Sequence, residues 1–319
     1  MNVVLLSGGS GKRLWPMSND VLSKQFIKLL KDDNGNMESM VQRVMKQLTK
    51  VVPTTNVYVS CNHEQVEILQ QQLGKVETIP EPSRRNTFAA IALAAAYLYY
   101  NKSAGHNEVF VALPIDVYAE EAFFQLLLKV EELAANFNIG LLGAIPTYPS
   151  QKYGYIVHES GVVKSFAEKP ALQLAEELLN KGALWNCGVA ATKVGYVLEH
   201  ARKYVQFDSF DSLYLQYESL PSISFDYEVI EKEKSIGVVV YDGAWKDLGT
   251  WNTFSDVMAE NSLGNVVMSK NCQNTHTINM LDIPVVVQDI SNAVVVASKD
   301  GILVTSKEGS AHLRELLDA

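Results

Sequence analysis

Residues suited to phosphate chemistry stand close to the start of the chain. Gly8, Gly9, Ser10 and Gly11, then Lys12 and Arg13, follow the apolar run Val3-Val4-Leu5-Leu6. Consecutive glycines let backbone N–H groups approach phosphate oxygens, and the adjoining cations add charge-assisted contacts. A P-loop would need glycine at position 6 and Ser or Thr at position 13, where Leu6 and Arg13 stand. A dinucleotide fingerprint starting at Gly9 would need glycine at Leu14, and one starting at Gly8 would need it at Ser10. Glycine also punctuates ordinary turns, so the loop by itself does not separate a phosphate cradle from a turn after a strand.

Two carboxylates extend the pattern. Asp116 ends the apolar run Val109–Leu113 after Pro114, and Asp247 sits in the turn Lys246-Asp247-Leu248-Gly249. Together they could meet at the carboxyl edge of a sheet, where α/β proteins bind ligands. Hard oxygen donors of this kind suit Mg²⁺, although aspartate also favours plain turns. Arg13 and Lys24 could neutralise a triphosphate or be solvated surface cations. None of the six histidines has metal-ligand spacing or a Ser or Cys partner in a recognisable motif, so no acyl-transfer or covalent chemistry is expected.

The elements that must position these residues read as an α/β fold. Short apolar runs at residues 2–6, 56–62, 108–114 and 138–146 have the texture of buried parallel strands. Between them, residues 86–100 predict a buried alanine-rich helix, with Asn86 or Thr87 as N-cap, and residues 119–137 an amphipathic one. The alternation predicts a Rossmann-like, mixed but mostly parallel sheet flanked by helices. From residue 150 short strands and turns appear, followed by helices near 172–181 and 193–203. Beyond residue 260, β-branched runs such as Val285–Gln288 and Val294–Ala297 predict a small C-terminal β domain over 261–319, after a catalytic domain over 1–260.

Composition narrows the functional classes. The 319 residues are 47% hydrophobic, enough for a large core. A net charge of −9 excludes general electrostatic binding to nucleic acid or anionic lipid, so any phosphate site must be local. Cys61, Cys187 and Cys272 are expected to be reduced thiols of a cytoplasmic protein. No leader and no apolar run of membrane-spanning length is expected.

The segments from Leu6 to Pro16 and from Ser23 to Leu29 resemble the signature of the sugar-1-phosphate nucleotidylyltransferases, specifically the mannose-1-phosphate guanylyltransferases, whose pattern is close to LSGGSGTRLWPLSR followed by PKQFLKL. EPSRRNTFAAIALAAA (81–96), LPIDVY (113–118), YGYI (153–156) and FAEKP (166–170) match further family segments in order, as do LWNCGV (184–189), SFDYEVIEK (224–232) and WKDLGTW (245–251). The departures are Lys12 for Thr, Asn19-Asp20 for Arg, Ser23 for Pro, Phe88 for Ala, Val117 for His and Lys246 for Ser; they bear on sugar and base preference. Lys12 could contact the β- or γ-phosphate or point into solvent.

The resemblance implies a nucleotidyltransferase fold of the GT-A type with a short left-handed β-helix at its C-terminus. It implies Mg²⁺-assisted transfer of the guanylyl group of GTP to mannose 1-phosphate, with release of pyrophosphate. Arg13, Lys24, Asp116 and Asp247 would be catalytic, the two aspartates holding the metal. Leu6, Gly8, Gly9, Ser10, Gly11, Lys12, Glu81, Arg85, Asn86 and Asp116 would bind the nucleotide, with Glu81 as acceptor for the base and the helix start at Asn86 favouring an anion. Gly154, Glu168, Lys169, Asn186 and Asp226 would bind the sugar phosphate. Tyr153, Tyr155, Trp185 and Trp251 are expected to be core or rim aromatics. Glucose or manno-heptose 1-phosphate, or another nucleotide, would need the same chemistry, whereas a non-catalytic binder would have lost Lys24, Asp116 or Asp247. A homodimer through the valine-rich tail is expected.

Overall fold

The computed structural model describes residues 1–8, 11–19 and 22–317, apart from the side chains of Lys12 and Arg314. The chain forms two compact units, each assembled from separate segments. The first comprises Met1–Gly8, Lys46–Ile115 and Ala119–Trp245; the second comprises Gly9–Met45, Asp116–Tyr118 and Lys246–Ala319. No helix among the described residues is long and apolar enough to cross a membrane.

A nine-stranded sheet organises the first unit. Its strands are β1 (Asn2–Leu6), β2 (Val57–Asn62), β3 (Glu77–Glu81), β4 (Val109–Pro114), β5 (Ile139–Ala144), β6 (Tyr155–Glu159), β7 (Val162–Ala167), β8 (Leu184–Lys193) and β9 (Ile236–Tyr241). Their spatial order is β3-β2-β1-β4-β8-β5-β9-β7-β6. From β3 to β4 every neighbour is parallel, with Val3 opposite both Val57 and Val111. Val3, Val4 and Leu5 are fully buried, which is why this stretch reads as an unbroken apolar run.

The expectation of a mostly parallel sheet is corrected at β8. This strand runs antiparallel to both β4 and β5, and β7 is antiparallel to β9 and β6. Only β5 and β9 restore a parallel pair in that half. The sequence Leu184–Lys193 is buried along most of its length, so its burial pattern carries no information about strand direction.

The alanine-rich helix runs from Asn86 to Ala96, and Phe88 to Ala96 are all buried in the core of this unit. Only small side chains permit a helix to be covered on nearly every face. The single helix expected over 119–137 is two short ones, Glu121–Gln125 and Leu127–Leu133, meeting at Leu126, whose N–H reaches the Ala122 carbonyl at 3.3 Å.

The boundary expected at residue 260 is not where the compact units divide. In the second unit Ile278, Val294, Val296 and Leu303 of the tail share one core with Leu14, Ile27, Leu30 and Met40 from the beginning of the chain, and with Leu248, Trp251 and Phe254. The tail buries these faces against residues from the beginning of the chain, a partnership no local pattern displays. Short strands make up the tail. Ser262–Leu263, His276–Asn279 and Ala293–Ser298 pair in parallel, Val266–Met268 pairs with Val285–Val287, and Gly301–Ser306 closes antiparallel to Ala293–Ser298.

Trp251 is fully buried in this core, and its indole N–H donates to the Trp15 carbonyl at 2.9 Å. Trp251→Ala should therefore lower the stability of the protein by about 3–5 kcal/mol, read as a drop in the urea midpoint.

Candidate active site

The second unit gathers the four residues expected to be catalytic. Lys24 opens a short 3₁₀ turn, Lys24–Phe26, and is only 2% exposed. A buried ammonium must be paired, and this one has three partners: Asp116 Oδ2 at 2.5 Å, Asp247 Oδ1 at 3.5 Å and the Leu248 carbonyl at 3.2 Å. The Leu248 N–H lies 3.5 Å from the Asp116 carbonyl, tying the two aspartate segments together. Burial pushes the Asp116 carboxyl upward, but Lys24 first and Arg13 second outweigh it and hold the group below the usual aspartate range, so it is ionised at neutral pH.

Gly249 of the WKDLGTW segment lies against Arg13. A side chain at Gly249 would meet the Arg13 guanidinium and the Asp247 carboxylate, each at 3.2 Å. The signal lies in the motif Asp247-Leu248-Gly249, where glycine lets a cation and a carboxylate close over backbone. Asp247 Oδ1 is buried and has no hydrogen-bond partner, standing 3.5 Å from the Lys24 ammonium as an ion pair. One orphaned carboxylate oxygen beside a second, ionised carboxylate is a donor set that fits Mg²⁺ completed by phosphate oxygens and water.

The nucleotide residues divide between the described and the undescribed. Gly9 and Ser10 lie outside the described residues, as does the side chain of Lys12; Gly11 begins a 3₁₀ turn, Gly11–Leu14. Leu6 ends β1, and its carbonyl accepts from Ile115 N–H. Gly8, Asn62, Glu81, Ser83 and Arg84 line a small recess in the first unit. A Cβ on Gly8 would stand 3.4 Å from Glu81 Oε1, so backbone and carboxylate approach each other there. Glu81 is 6% exposed; its oxygens accept from the Ser60 hydroxyl at 3.1 Å and the Tyr217 hydroxyl at 2.9 Å, while burial raises its pKa. Ser60 and Tyr217 come from β2 and from a segment 136 residues away, a convergence that spacing could not reveal.

The start of the alanine-rich helix is partly capped from within the protein. The Thr87 N–H is taken by the Asn86 side chain at 2.8 Å and the Phe88 N–H by the Ile223 carbonyl at 3.2 Å, so two of the first donors are already satisfied. Asn86 adopts a left-handed φ of 68°, which asparagine tolerates better than most residues. Arg85 donates its Nε–H to the Leu220 carbonyl at 2.8 Å.

The five residues assigned to the sugar phosphate converge within the first unit. Asn186 lies where the pairing of β8 with β5 shifts register, a bulge containing Gly188 at φ 73°. Bulges re-aim side chains: the Asn186 amide donates to Asp226 Oδ1 at 2.7 Å, and its backbone N–H donates to the Gly154 carbonyl at 2.8 Å. Gly154 is required by packing, because a Cβ there would strike Glu168 Oε2 at 2.6 Å. Glu168 is nearly buried and pairs at 2.7 Å with Lys169, which is half exposed and has a left-handed φ of 46°. Strained backbone of this kind persists where surrounding structure over-determines it. Tyr153, Tyr155, Trp185 and Trp251 are buried, as packing aromatics should be.

Residues 2–262 match the family model described as nucleotidyl transferase. The chain belongs to the nucleotidyl transferase family. Over 98% of its length this nucleotidyl transferase is 31% identical to the xanthan biosynthesis protein XanB of Xanthomonas campestris pv. campestris, covering 72% of that protein. It is 29% identical to a mannose-1-phosphate guanylyltransferase of Escherichia coli over 98% of this chain and 74% of the relative. It is 32% identical to the alginate biosynthesis protein AlgA of Pseudomonas aeruginosa over 96% and 69%. Among solved structures, one described as a mannose-1-phosphate geranyltransferase from Thermus thermophilus superposes with a TM-score of 0.80 at 26% identity, covering 99% of this chain and 98% of that one. The protein is thus an enzyme of the nucleotidyltransferase type with a mixed α/β fold.

Asp226 carries the pH signature of this nucleotidyl transferase. Burial, with the Glu168 carboxylate adding to it, raises the Asp226 pKa from 3.8 to about 6. The native state then keeps a proton that the unfolded chain has released, so this group's contribution makes stability fall as pH rises from about 4 to about 6. Asp226→Asn removes that dependence: relative to wild type, the variant should fare better at about pH 7.5 than at about pH 4, as measured by urea unfolding at both values.

Proposed function

We propose that the protein transfers the guanylyl group of GTP to α-D-mannose 1-phosphate, forming GDP-mannose and pyrophosphate. The observation that carries this reading is the Lys24 ammonium buried against Asp116 and Asp247, with Arg13 beside them. Relatives named mannose-1-phosphate guanylyltransferase support the choice of sugar and base.

The reaction needs alignment and charge neutralisation more than covalent help. An oxygen of the sugar phosphate attacks the α-phosphorus in line, and the bond from that phosphorus to the bridging oxygen of pyrophosphate breaks. The attacking oxygen belongs to a phosphate anion at neutral pH, so no residue has to remove a proton from it. Arg13 and Lys24 bind the triphosphate and stabilise the charge that grows on the departing pyrophosphate. Asp116 and Asp247 would hold Mg²⁺, which supplies further neutralisation of the triphosphate when bound. Glu81 accepts the N–H donors of guanine, Asn186 and Asp226 read the sugar hydroxyls, and Lys169 meets the sugar phosphate. The alternating short strands of the tail fit a left-handed β-helix, and their exposed valines, Val267 and Val286 among them, fit a contact between two copies.

A matrix of nucleoside triphosphates against sugar 1-phosphates, read by pyrophosphate release, should give its highest kcat/KM for GTP with mannose 1-phosphate. A higher value for another pair would reassign the substrates. Lys24→Gln and Asp247→Asn should each lower kcat on the order of 100-fold or more at saturating substrates; wild-type turnover in either would remove the cluster from the mechanism.

A further inference from the structure

The recess around Glu81 contains two polar side chains with no role so far, Ser83 and Arg84. Glu81 accepts from Ser60 and Tyr217, and the Asn62 side chain accepts from the Glu64 N–H at 3.4 Å as the cap of a 3₁₀ turn. Ser83 differs: its hydroxyl is buried and has no hydrogen-bond partner, although it lines the same recess as Glu81, Asn62 and Gly8. A buried hydroxyl without a partner is destabilising, and native proteins keep such groups chiefly where something else completes them. The side chain follows Glu81 by two residues, with Pro82 between them limiting the backbone, so the carboxylate and the hydroxyl are covalently held near each other.

We infer that Ser83 is a specificity-determining residue whose hydroxyl donates to O6 of the purine while Glu81 accepts from the neighbouring N–H donors. The chemistry is complementary. Guanine presents an acceptor next to two donors along one edge, and a hydroxyl beside a carboxylate supplies a donor next to acceptors. Gly8 stands against Glu81 on the same side of the recess, where a Cβ would lie 3.4 Å from Oε1. This inference rests on the proposed use of GTP and adds to it the residue that recognises O6.

The test compares wild type with Ser83→Ala on three triphosphates: GTP, ITP and the triphosphate of 2-aminopurine riboside. ITP keeps O6 and N1–H and lacks the 2-amino group, whereas the 2-aminopurine compound keeps the amino group and lacks both O6 and N1–H, so each nucleotide is compared between variant and wild type. The variant should lose kcat/KM on the order of fivefold to tenfold with GTP and equally with ITP, mostly in KM for the nucleotide. It should be unchanged with the 2-aminopurine compound and in KM for the sugar phosphate. Equal losses on all three nucleotides, or none on GTP, would overturn the assignment of O6 to Ser83 while leaving GTP as substrate. Should Ser83→Ala melt well below wild type, Ser83→Thr keeps the hydroxyl and should retain the wild-type GTP to 2-aminopurine ratio; loss of that ratio would overturn the inference. Wild-type enzyme that turns over no GTP would overturn this inference and the proposed function together.

Discussion

An ammonium group removed from water carries a cost of several kcal/mol unless charges and dipoles replace its hydration. The arrangement of the second unit follows from meeting that demand at Lys24. Asp116 is delivered by a three-residue segment, Asp247 and the Leu248 carbonyl by the segment that begins at Lys246, and the lysine itself by the turn after the glycine loop. Removing either aspartate would leave the ammonium buried with half its countercharge, which explains why the three segments must close together. The same demand excludes an ordinary side chain at position 249, where Arg13 and Asp247 already meet.

A different balance governs the carboxylates of the first unit. Glu168 and Asp226 stand near one another with one partly exposed cation, Lys169, and a neutral amide, Asn186, between them and full compensation. Here burial wins over pairing for Asp226, the reverse of the outcome at Asp116. Two aspartates are thus tuned in opposite directions by whether a buried cation touches them. Such a difference suits one group that must stay charged and another whose hydrogen bonding changes near neutrality.

The parts of the fold visible in the sequence are those where a single element carries its own explanation. The strands at Asn2–Leu6, Val57–Asn62 and Val109–Pro114, and the helix at Asn86–Ala96, declare themselves through unbroken burial of β-branched or alanine-rich runs. What stayed hidden depends on partners distant in the chain. The reversed direction of Leu184–Lys193, the shared core of Leu14 with Val294, and the Tyr217 hydroxyl on Glu81 have no local signature. The strand Ile236–Tyr241 is legible in its run IGVVVY but lies outside the four runs whose alternation with helices implies the sheet. For the site, ordered motifs named Lys24, Asp116 and Asp247, yet Gly249, Ser60 and Ser83 emerge only once neighbours in space are known.

The interleaving of the two units has a consequence for how the protein is made. The chain passes from one unit to the other five times, so no single cut separates them. Leu248, whose carbonyl receives the Lys24 ammonium, comes 224 residues after it. At a synthesis rate of about 5–20 residues per second, Lys24 leaves the ribosome roughly 10–45 seconds before its last partners exist. During that interval the ammonium has no reason to leave water, and the apolar residues around it have no core to join. The second unit is therefore an assembly that only the final stretch of the chain can complete.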